Sequence, residues 1–91
     1  MTTNNAELVR RQLEQHGVDR YPTVHAQYIK LVTEVGELGD ELLQPERDVD
    51  LLRAEAADVM VCLYHLAAKL GFDLDDALFE LVQRDARRFT T

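Results

Sequence analysis

Apolar residues recur at three- and four-residue intervals along the chain, and no stretch sustains the two-residue alternation of a strand. The pattern predicts an all-α protein of four helices. A first helix spans about Asn5 to His16, and Gly17 stands where a left-handed cap ends it. A connector runs from Gly17 to Tyr21. Pro22 suits the first turn of a second helix that reaches about Leu43, and Pro45 stops it. A third helix spans about Asp48 to Leu70, ahead of Gly71. Asp73 can cap a fourth from about Leu74 to Phe89. The polar run Gln44-Pro45-Glu46-Arg47-Asp48 turns the second and third helices back on each other as an antiparallel hairpin. No repeat or linker divides the chain, so residues 1–91 read as one domain.

Helical geometry then places the polar exceptions. At about 100° per residue, Tyr28, Leu31, Val35, Leu38 and Leu42 form the apolar stripe of the second helix. Glu34 and Glu41 border it, and Glu37 lies further round. On the third helix Glu55 sits inside the stripe made by Leu51, Leu52, Val59, Cys62, Leu63, Leu66 and Leu70, with Asp58 at its edge. Gly36 and Gly39 interrupt the second helix at about 1 kcal/mol each. Their presence points to a close approach by a neighbouring helix or a ligand.

The pairs Glu34/Glu37 and Glu55/Asp58 are both spaced i, i+3, and both are centred on position 46. A hairpin turning there puts Glu37 level with Glu55, and Glu34 level with Asp58. The spacing alone carries nothing, since Glu37/Asp40 and Asp73/Asp76 share it. Glu55 carries the argument. An ionised carboxylate in an apolar stripe is costly unless it is paired or bound to a cation, and Arg47 and Arg53 are poorly placed to pair with it. Carboxylate oxygens favour Mg²⁺ or Mn²⁺ over zinc. His16, His25 and His65 form no cluster, and the absence of E-x-x-H argues against a di-iron bundle.

Composition narrows the classes. A net charge of −7 argues against a nucleic-acid partner. A single cysteine, Cys62, provides no disulfide framework and fits a cytoplasmic setting. The polar N-terminus (Thr2, Thr3, Asn4, Asn5) lacks the apolar core of a signal peptide, and no apolar run is long enough to cross a membrane. A 91-residue chain makes a small core, so a homo-oligomer is expected.

The segments YIKLVTEVGELGDELL (28–43) and EAADVMVCLYHLAAKL (55–70) resemble the two helix motifs of MazG-type nucleotide pyrophosphohydrolases. Together they give E-x-x-E, 17 residues, then E-x-x-D, a signature of all-α nucleoside triphosphate pyrophosphatases. The tail GFDLDDALFELVQRDARRF resembles the small single-domain members. The resemblance covers about residues 21–89. It implies a four-helix unit completed by dimerisation, as a dimer or a dimer of dimers. It also implies Mg²⁺-dependent hydrolysis of a nucleoside triphosphate to the monophosphate and pyrophosphate. Carried over, Glu34, Glu37, Glu55 and Asp58 match the metal ligands, with Glu34 and Glu37 doubling as the catalytic pair. By position, Lys30 and Arg88 are candidates for phosphate contact, and Tyr21, His25 and Tyr28 for the wall of a base pocket. Two residues depart from the pattern: Thr33 stands where many members carry a glutamate, and Asp85 where the small members carry asparagine. Phosphoribosyl-ATP pyrophosphohydrolase activity is the nearest alternative. A catalytically weak metal- and nucleotide-binding regulatory dimer is another, and a helical interaction dimer without a metal is a third.

Overall fold

The computed structural model describes residues 4–17 and 19–89. Val18 of the expected connector, and Thr2 and Thr3 of the polar N-terminus, lie outside them. The described chain is all-helical: α1 (Asn5–His16), α2 (Val24–Leu42), α3 (Val49–Leu70) and α4 (Leu74–Phe89). Side-chain caps set most of the boundaries. Asn4, Thr23 and Asp48 each accept a backbone N–H from the first turn of α1, α2 and α3, and Asp73 accepts from Asp76 N–H at the start of α4. The second helix therefore begins two residues after Pro22, because Thr23 brings an oxygen to the free N–H groups and a proline ring cannot. Gly17 (φ 69°) and Gly71 (φ 84°) close α1 and α3 in the left-handed region, where glycine carries no steric penalty.

The principal packing is α2 against α3, joined by residues 43–48; α1 and α4 lie against α3 and touch each other. Asp75 ties these outer helices down. One of its oxygens accepts from Tyr64 Oη on α3 (2.5 Å), the other from Ala6 N–H on α1 (3.0 Å). Lys69 Nζ reaches Asp19 Oδ2 at 2.5 Å and anchors the connector after α1 to α3.

The inward face of α2 differs from the predicted stripe. Gln27 and Glu34 are its buried residues, whereas Tyr28, Val35 and Leu42 are exposed. The helix is turned so that Gln27, Lys30 and Glu34 face inward, Leu31 and Leu38 of the predicted stripe stay half-buried beside them, and Tyr28, Val35 and Leu42 face out. Gly36 and Gly39 lie on the outward face. A Cβ at either would meet nothing within 4 Å, so the close approach expected there is not made inside the chain.

Among the described residues, only Cys62, Tyr64 and Ala67 are buried apolar side chains. The chain exposes 7236 Å², against about 5,400 Å² for a folded monomer of this size. Its radius of gyration is 15.5 Å, where a compact domain of this length has about 12 Å. Apolar residues left uncovered include Tyr28, Ile29, Val32 and Val35 on α2, Met60 on α3, and Leu78, Phe79 and Val82 on α4. No described helix is long and apolar enough to cross a membrane.

Candidate metal centre and adjoining cavity

Three carboxylates meet where α2 crosses α3. Glu34, Glu37 and Glu55 each present an oxygen, and the three oxygens lie within 4.8 Å of one another. Glu34 is 6% exposed, Glu55 is half-buried and Glu37 is open to solvent. Asp58 does not join this group at that spacing; it is exposed and lines a neighbouring cavity together with Glu34. Glu34 and Glu37 sit one turn apart on α2, and Glu55 faces them because the 43–48 turn reverses the chain.

The charge in this group is incompletely balanced. Lys30 Nζ lies 2.6 Å from Glu34 Oε1, one helical turn away, and its ammonium stands 5.6 Å from the centre of the Tyr21 ring. The bond to Glu34 raises the Lys30 pKa above the ordinary lysine value despite its desolvation. Glu34 Oε2 and Glu55 Oε2 are both buried and have no hydrogen-bond partner. The Glu55 pKa is pushed up, first by burial and then by the negative charges of Glu37, Glu34, Asp58 and Glu41. Buried anionic oxygens with unfilled bonding capacity, all of them oxygen donors, fit a hard divalent cation.

The cavity beside the group has a volume of about 570 Å³. It is bounded by the end of α1, the 19–21 connector, α2 and α3, and both Glu34 and Asp58 lie on its wall. Of the residues proposed to contact substrate, Lys30 and Tyr21 line it. His25 and Tyr28 do not: both are exposed and lie on or beside the outward face of α2. Arg88 is exposed near the end of α4 and lines neither the cavity nor the carboxylate group. Arg20, Gln27, Cys62 and His65 line the cavity without having been singled out as contacts. A signal for Gln27 existed, since it stands seven residues before Glu34 and so on the same helix face. The Thr33 hydroxyl is exposed and donates to the Ile29 carbonyl of its own helix at 3.0 Å.

Burial pushes the Cys62 thiol up, with Glu34 adding to the effect, and pushes the His65 imidazole down. At neutral pH the cavity wall therefore carries a thiol and a neutral imidazole.

Comparison with protein-family models, curated proteins and solved structures finds no match to the chain.

Proposed function

We propose that the protein is a Mg²⁺-dependent nucleoside triphosphate pyrophosphohydrolase of the MazG-like, all-α type, working as a homo-oligomer in the cytoplasm. The observation that carries this reading is Glu34: a carboxylate buried to 6% exposure, grouped with Glu37 and Glu55, and holding an unpartnered oxygen. A side chain in that setting is stabilised by a cation, and the surrounding sequence supplies the E-x-x-E and E-x-x-D frame of the resemblance.

Glu34, Glu37 and Glu55 would hold the ion, with Asp58 reaching the same region from the cavity wall. When bound, Mg²⁺ or Mn²⁺ neutralises the polyphosphate and makes a bound water more acidic. In the net reaction water adds across the anhydride between the α- and β-phosphates, giving the monophosphate and pyrophosphate. Buried Glu34 and half-buried Glu55 fix where the negative charge is concentrated. Lys30 brings a positive charge to the cavity wall for a phosphate oxygen, and Glu37, open to solvent, can accept a proton from water.

The large exposed surface supports the homo-oligomer. The excess of roughly 1,800 Å² over a monomer of this size is on the scale of surface buried in stable interfaces. Gly36 and Gly39 leave room on the same outward face of α2 for a partner helix to approach closely. The second reading, a metal- and nucleotide-binding module without turnover, is favoured by Thr33, which occupies the position before Glu34 with a hydroxyl bonded to its own helix.

Release of pyrophosphate from a panel of NTPs and dNTPs with Mg²⁺ or Mn²⁺ decides between them. Release is expected for at least one nucleotide. No release from any, together with a metal-dependent thermal shift, would establish the binding module instead.

A further inference from the structure

Lys69 stands in the last turn of α3, where a cation ordinarily compensates the helix dipole from the solvent side. Here its side chain is only 12% exposed, and its ammonium reaches away from the helix to Asp19 Oδ2, 50 residues back in the chain. Residues 19–21 form no helix or strand that would fix their backbone, so side-chain anchors decide where they lie. The second oxygen of Asp19, Oδ1, accepts the Tyr21 N–H at 3.0 Å, the i to i+2 contact of an aspartate turn. Lys69 first, and the Tyr21 N–H as well, hold the Asp19 carboxyl below the ordinary aspartate value, so at neutral pH it is an anion that keeps both bonds.

One carboxylate thus sets the place of Tyr21. The Tyr21 ring in turn has the Lys30 ammonium 5.6 Å from its centre, and that ammonium lies 2.6 Å from Glu34 Oε1. Glu34 raises the Lys30 pKa most, and Tyr21 adds to it. Lys69, Asp19, Tyr21 and Lys30 therefore join the end of α3 to the carboxylate group through contiguous contacts, a physical route by which distant positions are coupled. Along α3 itself Lys69 lies 14 residues beyond Glu55, about 21 Å of helix, too far to act on the centre by direct contact. We infer that Lys69 is a positioning residue for the carboxylate centre: through Asp19 and Tyr21 it holds the Lys30 ammonium at Glu34. An ammonium held there neutralises part of the charge that attracts a divalent ion, so the end of α3 sets the cation affinity of a site it does not touch. The inference rests on the proposed metal chemistry only for that last effect; the placement of Lys30 is read without metal.

The test uses the full chain, first with a chelator. In wild type the Tyr21 ring should move the NMR signals of the Lys30 CεH₂ protons upfield. Lys69→Met should cancel that shift as completely as Tyr21→Leu does. Lys69→Arg, which still offers Asp19 a cation, should retain it. Asp19 is exposed, so Asp19→Ala tests the same link without disturbing the core and should also lose the shift. A wild-type Lys30 signal at its random-coil position, or one unchanged in both Lys69→Met and Asp19→Ala, would overturn the inference. Mn²⁺ titrations followed by electron paramagnetic resonance then read the centre. A cation–π contact of about 0.5–1 kcal/mol corresponds to affinity raised about two- to fivefold in Lys69→Met. The double variant Lys69→Met/Tyr21→Leu should bind no more tightly than Tyr21→Leu alone, and additive gains would refute the route through Tyr21. If no variant and no wild type binds Mn²⁺, the metal reading fails, and the Lys30 signal alone decides this inference.

Discussion

Replacing Asp75 by alanine should loosen three helices at once. Its carboxylate accepts the Tyr64 hydroxyl at 2.5 Å and the Ala6 N–H at 3.0 Å, so a single side chain on α4 fastens both α3 and α1. Hydrogen bonds to a charged acceptor contribute about 1.5–3 kcal/mol each. Asp75 is only half-buried, so the lower end applies, and the variant should lose about 3 kcal/mol. For a domain of this size, that corresponds to a melting temperature about 12–24 °C lower. The pair also has a pH signature. The Tyr64 hydroxyl first, and then the Ala6 N–H, hold the Asp75 pKa below the ordinary aspartate value. The unfolded chain therefore takes up this proton at a higher pH than the folded one. The stabilisation is complete above the ordinary aspartate pKa and is lost as pH falls through the depressed folded value. Urea unfolding followed by circular dichroism, at neutral and acid pH, measures both effects. A double-mutant cycle with Tyr64→Phe should return a coupling of about 1.5–3 kcal/mol. A coupling near zero, or an acid limb as steep in Asp75→Ala as in wild type, would refute the assignment.

Glu55→Gln removes an ionised group that its surroundings disfavour, so the variant should melt higher than wild type without metal and lose any rise in melting temperature on adding Mg²⁺. Differential scanning fluorimetry with and without the cation reads both outcomes. Lys30→Met strips Glu34 of its ion pair. Because the lysine side chain is 30% exposed, the loss should be about 2–3 kcal/mol, below that of a deeply buried pair, and Mg²⁺ should restore much of it; a variant as stable as wild type in the chelated state would contradict this. Val82→Glu and Val32→Glu place a charge on uncovered apolar surface and should shift the sedimentation coefficient toward that of a monomer, while changing helix content little.

Helix order and boundaries could be read from the sequence because capping is local. Gly17, Asp48, Gly71 and Asp73 act within a turn of where they stand. The second helix starts two residues later than Pro22 suggests, because the Thr23 side chain caps it. Glu34, Glu37 and Glu55 could be read because a short turn between two helices leaves little freedom in which residues meet. Asp58 fell outside the group because i, i+3 residues on one helix differ by about 60° in direction, so both need not point at one centre. The rotation of α2 was not legible. Its outward row is the more apolar one, and hydrophobic periodicity assigns such a row to the interior of the same chain. Where Tyr28, Val35 and Leu42 are left bare and Gln27 and Glu34 are enclosed, periodicity alone displaces the inward face, keeping only Leu31 and Leu38 in common. Gln27 reads as solvated surface by residue type, and only its seven-residue spacing from Glu34 places it on the enclosed face.

The placement of Lys30 has a consequence for how any cation would enter. Its ammonium already occupies one oxygen of Glu34, braced against the Tyr21 ring. The chain thus carries a tethered monovalent ion on one oxygen of Glu34 while Oε2 stays without a partner. A divalent ion bound at Oε2 would share the carboxylate with that ammonium, and the two like charges would repel. The Lys30–Glu34 pair would weaken, and the ammonium, already on the wall of the cavity, would be left to take another anion as its counter-charge. Cation and anion would then each lower the cost of the other's arrival, through one side chain that changes partners.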